Sequence, residues 1–231
     1  MTLPRLSPFP WTVTLQDSRP SERARRALNV AIASVGLLLA LVPMLVIGLL
    51  IKLTSCGPIL FAQRRIGLDR RALGHEGGNW RRHTDDGGRS FIMYKFRTMR
   101  VDAEPMPEVW AVRDDPRVTA IGRLLRKFRL DELPQLWNVL VGDMNIVGPR
   151  PEQPTIFVSL RDQIKEYPRR QQVLPGITGW AQINQAYDTS VEDVRQKLRY
   201  DLEYVHRRST LEDLKIMLLT PAVMLGRRYG W

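Results

Sequence analysis

Two acidic side chains stand side by side at Asp131 and Glu132, in the run Arg129-Leu130-Asp131-Glu132-Leu133-Pro134-Gln135-Leu136-Trp137. Adjacent carboxylates can hold a divalent cation such as Mg2+, which takes one or two carboxylates and fills its shell with phosphate oxygens. A carboxylate can also attack phosphorus and carry an acyl phosphate. Such chemistry needs cations nearby to neutralise phosphate, and arginine does this with paired hydrogen bonds. Arg123, Arg126, Lys127 and Arg150 lie close in sequence. In phosphoryl transfer the protein mainly positions and neutralises. The same acidic pair has a structural use, because acids at a helix start cap free N–H groups and favour the dipole. The residues alone leave both uses open.

The elements around the pair can be read from pattern. Thr119 starts a helix to about Phe128, with Arg123, Arg126 and Lys127 on its basic side. Asp131 reads as the N-cap of a following helix, since Pro134 fits only a first turn. Gly142 ends that helix, and Met144–Val147 reads as a strand entering Gly148-Pro149-Arg150-Pro151, a rigid loop that fixes one arginine. Phe91 to Met99 alternates, with Ile92, Tyr94 and Phe96 on one face and Met93, Lys95 and Arg97 on the other. That is a half-buried strand bearing two cations on one side. Ile59–Gln63 is a short strand and 175–184 a turn running into an extended segment. Ser190 and Thr210 open two helices by the capping-box pattern, the second stopped by Pro221.

No phosphate-binding glycine loop, dinucleotide fingerprint, zinc-protease or serine-hydrolase motif occurs. His75, His83, Asp85 and Asp86 in the glycine-rich loop 72–90 match no metal-ligand spacing. Trp80 and Trp137 lie near basic residues, but Trp137 sits in an apolar helix and reads as core rather than a stacking platform for nucleic acid. The single cysteine, Cys56, excludes an internal disulfide. A net charge of +11 calls for an anionic partner: nucleic acid, an anionic membrane surface or a phosphorylated substrate.

Ala27 to Ile51 is uncharged for 25 residues, long enough to cross a bilayer, which takes roughly 20. It is too long for a signal peptide and lacks a cleavage site. Arg19, Arg23, Arg25 and Arg26 precede it, and Lys52, Arg64, Arg65, Arg70 and Arg71 follow. Basic flanks favour the cytoplasmic side. A helix broken at Pro43 that enters and leaves by one leaflet satisfies both flanks, and is favoured over a spanning anchor or a buried core helix. The expected organisation is a basic arm at 1–26, a membrane re-entrant hairpin at 27–52 kinked at Pro43, and a catalytic domain at 53–231.

Four stretches carry a resemblance: YKFRTM at 94–99, DPRVTAIGRLLRKFRLDELPQLWNVLVGDMNIVGPRPE at 115–152, PGITGWAQIN at 175–184 and KLRYDLEYV at 197–205. The chain resembles the bacterial sugar transferase family, the monotopic phosphoglycosyl transferases, in its exopolysaccharide-associated branch. The resemblance implies an α/β catalytic domain with short strands, ringed by amphipathic interfacial helices above the re-entrant hairpin. It implies transfer of a sugar-1-phosphate from a UDP-sugar to undecaprenyl phosphate, releasing UMP, on the cytoplasmic face of the bacterial inner membrane, among anionic lipids and without nucleic acid. Asp131 would be the nucleophile, and Glu132 would hold Mg2+ with it. Lys95, Arg126 and Arg150 would contact phosphates or nucleotide, and Asp201 would stand near the substrate. The identity of the sugar and association into a homo-oligomer stay open. Val42 stands where the family has a serine before the kink proline, and Leu174 where a basic residue is common. The loop at 72–90 is longer than usual, and no further membrane helix is expected ahead of the catalytic region. The rival reading is a membrane-tethered basic binding protein or scaffold, which explains charge and anchor but not the acidic pair.

Overall fold

In the computed structural model the described residues are 19–69, 87–101, 115–185 and 190–225. Expectations for residues 1–18 of the N-terminal arm, for Trp80 and for the four possible ligands at 75–86 lie outside them, while residues 19–26, expected in the arm, begin the first helix.

Helix α1 runs Arg19–Thr54, 36 residues, and Pro43 lies inside it. The helix therefore continues through the proline rather than breaking there. A single stripe faces the body of the protein: Arg25, Asn29, Ala33, Ala40, Ile47 and Ile51 are buried, at spacings of four and seven. The opposite face is apolar and open, with Leu38, Leu39, Leu45 and Leu53 all about two-thirds exposed or more. Only 11% of its most apolar stretch is buried, too little for the core helix of a water-soluble fold.

Both ends of α1 are fastened to the same body. Near its start, Arg25 donates to Asp213 at 2.9 Å and to the Tyr204 hydroxyl at 2.9 Å. The Asn29 carboxamide oxygen accepts the Ile146 N–H at 2.6 Å. Near its end, Ile47 and Ile51 pack with Phe96 and Leu125. Arg97 then donates to the carbonyls of Ser55 and Cys56, at 2.8 and 2.6 Å, where the helix has run out of its own donors.

Strands β1 (Leu60–Ile66) and β2 (Ser90–Phe96) pair antiparallel, Leu60 opposite Phe96 and Ile66 opposite Ser90. Helix α2 (Ala120–Lys127) follows, capped by the Thr119 hydroxyl, which accepts from Gly122 N–H at 2.9 Å. A 3₁₀ turn at Leu130–Glu132 leads to helix α3 (Gln135–Val141). Gly142 ends α3 at φ 90°, a conformation that costs a side-chain-bearing residue and not glycine. Arg26 of α1 completes this end by donating to the carbonyls of Val139 and Leu140 at 2.6 and 2.8 Å.

Strand β3 (Asn145–Val147) pairs parallel with β4 (Gly176–Thr178), making a second two-stranded sheet. Between them lie helix α4 (Pro154–Gln163) and a 3₁₀ segment at Tyr167–Gln172, both beyond the sequence expectations. Residues 180–184, expected extended, form the short helix α5 (Trp180–Asn184). Helix α6 (Val191–Arg207) starts at Ser190, whose hydroxyl accepts from Asp193 N–H. Helix α7 (Thr210–Leu225) runs through Pro221 rather than stopping there. Its outward Leu211, Leu214 and Leu218 are exposed, as are Trp137 and Val141 on α3. Trp137 is thus on the surface, not in the core.

The main core joins Ala33 of α1, Phe91 and Met93 of β2, Val139, Met144 and Ile146, with Tyr204 and Ile216 from the last two helices. The architecture is mixed α and β with small sheets and one long apolar helix, coarser than the α/β domain with re-entrant hairpin expected.

Candidate active site

The acidic pair owes its position to the pattern Leu130-Asp131-Glu132-Leu133. In a 3₁₀ turn, residues three apart eclipse. Leu130 and Leu133 thus share one side and pack with Ile47, Ile51, Phe96 and Leu125. Asp131 and Glu132 are turned the other way. Asp131 is therefore not an α-helix N-cap: it lies in its own turn, and Pro134 occupies the cap position of α3. The turn is entered through Arg129 at φ 54°, ψ 21°, the left-handed region. It is the sole non-glycine residue with positive φ among the described residues. Such a conformation costs free energy and persists where the surroundings impose it.

Cations reach the pair from four elements. Lys95 of β2 donates to Glu132 Oε1 at 2.9 Å. Arg150, in the loop after β3, donates to the same oxygen at 2.7 Å. Arg129 Nη1 lies 3.7 Å from it. Arg126 of α2 is held by the Thr98 hydroxyl, which accepts its Nε–H at 2.9 Å, within electrostatic reach of Asp131. Lys95 is aimed by Asn138 of α3. That side chain accepts Tyr94 N–H at 3.1 Å and donates to the Ile92 carbonyl at 2.7 Å, acting as one more rung beside β2. The strand's two cations part company, because Arg97 turns to the end of α1 and only Lys95 serves the site. The covered face of β2 also carries Phe91 and Met93, while Ile92 is exposed, the reverse of a simple apolar Ile92–Tyr94–Phe96 face.

The two acids differ in electrostatic state. Burial opposes ionisation of Glu132, but Arg150, Lys95 and Arg129 outweigh it and hold its carboxyl well below the usual carboxylate range. Burial and the neighbouring Glu132 charge raise Asp131, against Lys95, Arg150 and Arg126. Burial pushes the Lys95 ammonium down, against the pull of Glu132. Glu132 is thus a committed anion at the hub of the cations. Asp131 is mostly buried, yet its carboxylate accepts no hydrogen bond among the described residues. Its lone pairs are available to an electrophile or a metal ion.

The structure brings together Asp131, Glu132, Lys95, Arg126 and Arg150. It does not bring Asp201 to them. Asp201 is 2% exposed and its carboxylate accepts from Arg170 Nε at 2.9 Å, behind the Arg150 loop. It has no surface to offer a substrate. Sequence reading missed Arg129, for which adjacency to the acidic pair was the available signal, and Arg170, which no local pattern marks.

The family model described as bacterial sugar transferase matches residues 20–227. The chain belongs to the bacterial sugar transferase family. The UDP-glucose:undecaprenyl-phosphate glucose-1-phosphate transferase of Xanthomonas campestris pv. campestris is 39% identical over 210 residues, covering 89% of this chain and 40% of that protein. A protein of the same name from Caulobacter vibrioides is 37% identical, covering 95% of this chain and 78% of its own length. The UDP-N-acetylgalactosamine-undecaprenyl-phosphate N-acetylgalactosaminephosphotransferase of Aeromonas hydrophila is 37% identical, covering 87% of this chain and 43% of its own length. The chain thus spans about two-fifths of the length of several curated relatives. In this member of the bacterial sugar transferases, the motifs at 94–99 and 115–152 carry the residues of the site, and 175–184 braces the Arg150 loop through Gly176 N–H to the Pro149 carbonyl.

Proposed function

We propose that this chain moves a sugar-1-phosphate from a UDP-sugar to undecaprenyl phosphate through a phosphosugar carried on Asp131. The observation that carries this reading is the asymmetry of the pair: a committed Glu132 within a ring of cations, beside an Asp131 whose oxygens are unspent. A carboxylate oxygen of Asp131 attacks the phosphorus bonded to the sugar. The bond from that phosphorus to the bridging oxygen breaks, and UMP leaves with the electron pair. An oxygen of undecaprenyl phosphate then attacks the same phosphorus, the Asp131–phosphorus bond breaks, and the carboxylate is restored.

Lys95, Arg126, Arg129 and Arg150 carry four positive charges against two from the acids. The excess matches the charge of a diphosphate, which these side chains would bind and hold in line. Among the described residues no group of three or more metal-ligating side chains occurs. The pair still fits Mg2+, which needs one or two carboxylates when phosphate oxygens supply the rest. Asp131 and the second oxygen of Glu132 would hold it, and when bound it would neutralise charge on the diphosphate. The surrounding cations disfavour a bare metal ion, so the fit is to metal arriving with the nucleotide.

Placement of both ends of α1 at the cytoplasmic leaflet of the bacterial inner membrane is supported by the way the helix is fastened. A straight helix of this length is roughly 54 Å long, against a bilayer core of about 30 Å. A spanning helix would carry its two ends to opposite sides, yet Arg25 and Ser55 are both tied to one folded body. The open leucines of α1, α3 and α7 suit contact with lipid, and the basic excess suits anionic headgroups. The scaffold alternative leaves the unspent carboxylate without a use. UMP release over a panel of UDP-sugars, with undecaprenyl phosphate as acceptor, tests the reading and names the sugar. No release from any of them refutes it.

A further inference from the structure

Behind the site lies a second buried charge cluster that the chemistry above does not use. Arg170 is 3% exposed and every arm of its guanidinium is occupied. Nε donates to Asp201 at 2.9 Å, and Nη2 lies 2.7 Å from the same carboxylate. Nη1 donates to Glu152 at 3.1 Å and to the Tyr167 hydroxyl at 2.8 Å. Nη2 also donates to the backbone carbonyl of Arg150 at 2.9 Å. Lys197 of α6 shares the Glu152 carboxylate at 2.9 Å.

The loop that carries Arg150 is held at four successive carbonyls. Pro149 O accepts from Gly176 N–H at 3.0 Å, Pro151 O from Arg65 at 3.1 Å and Glu152 O from Ile66 N–H at 2.9 Å. Gly148 ahead of them passes so close to β4 that a methyl group there would lie 2.8 Å from Gly176 N. Prolines on both sides of Arg150 fix their own φ angles. Of these four anchors, the one on Arg150 itself comes from a side chain, and that side chain is Arg170. The same guanidinium grips the Glu152 carboxylate two residues on.

We propose that Arg170, oriented by Asp201, Glu152 and Tyr167, is a positioning residue that sets the Arg150 guanidinium against Glu132 and the diphosphate. This rests on the proposed function, because Arg150 is the group through which Arg170 acts. It also gives Asp201 a role that its burial permits: it fixes Arg170 rather than touching substrate. A lysine at 170 keeps the charge but loses the fork, so it cannot hold Asp201, Glu152 and the Arg150 carbonyl together.

The test uses the full chain in detergent or nanodiscs and reads UMP release against UDP-sugar concentration. Arg170→Lys and Asp201→Asn should raise KM for the UDP-sugar about 10-fold, the effect of weakening one charge-assisted contact. A merely structural defect lowers the amount of active enzyme, and so kcat, while leaving KM within about 2-fold, as distant sites do not couple; that result overturns the proposal. In an Arg150→Lys background the same substitutions should raise KM by no more than about 2-fold further. An equal rise in both backgrounds also overturns it. Should either variant fail to fold, Tyr167→Phe removes one hydrogen bond to Arg170 and should show the same rise in smaller degree, with unchanged KM again counting against the role. A wild-type chain that releases no UMP from any UDP-sugar refutes the proposed function itself, and this role with it.

Discussion

The two adjacent acids should respond to neutralisation with opposite signs. In Glu132→Gln, the acceptors facing Lys95 at 2.9 Å and Arg150 at 2.7 Å become neutral. Both partners are largely covered, at 16% and 29% side-chain exposure, so solvent screening is modest. The donors stay charged, so both hydrogen bonds can persist, but the ion-pair attraction is lost at each, and about 1 kcal/mol per partly covered pair makes about 2 kcal/mol. For a chain of this size that lowers Tm by about 4–8 °C. Asp131→Asn removes an acid whose ionisation burial already opposes, so Tm should stay level or rise. The pH dependence follows from the directions of shift. The carboxyl of Glu132 is depressed in the folded state, so its contribution is fully present above the ordinary carboxylate range and is lost only as pH falls through the lower, folded value. Asp131 is raised, so its ionisation costs stability at neutral pH, and that cost is relieved as pH falls through the folded value. The Glu132→Gln deficit should therefore be flat between about pH 6 and 8. The assay is thermal unfolding of the purified chain in one detergent at matched concentrations. Equal losses of Tm for both variants would refute the division into a committed and an uncommitted carboxylate.

Chelation with EDTA should stop UMP release and added Mg2+ should restore it; release untouched by chelator removes the metal from the account. Cys56 lies exposed just past the end of α1, and Arg23 is exposed near its start. In whole cells, neither native Cys56 nor Arg23→Cys in a Cys56→Ser background should react with an impermeant periplasmic reagent, whereas labelling of one site alone means a spanning helix. Arg97→Ala should leave the Ser55 and Cys56 carbonyls without their cap and lower Tm by several degrees, for a loss of about 2–3 kcal/mol.

How far the sequence carried the structure depends on how local each signal is. Thr119, Gly142 and Ser190 mark helix ends by their own backbone chemistry, and each sits where expected. The run Leu130-Asp131-Glu132-Leu133 was legible as a helix start but not as a separate 3₁₀ turn, because its form depends on Leu130 and Leu133 reaching α1. Alternation along β2 put Lys95 and Arg97 on one face, but it could not tell which of them serves the site. Arg97 is drawn away by helix-end carbonyls 41 and 42 residues distant in sequence. The Arg170–Asp201 pair spans 31 residues, so no local window could reveal it. Pro43 and Pro221 break helices in sequence rules, yet both lie inside helices here, where packing on one side holds the remaining turns.

The proposed transfer stands or falls on Asp131 carrying the phosphosugar. The most direct measurement is intact-protein and peptide mass spectrometry after incubation with the UDP-sugar that supports UMP release, with undecaprenyl phosphate withheld. One sugar-phosphate adduct per chain is expected, on the peptide containing Asp131, formed together with UMP, discharged by added undecaprenyl phosphate and absent in Asp131→Asn. UMP release that needs the lipid acceptor from the outset, with no adduct on Asp131, would contradict it.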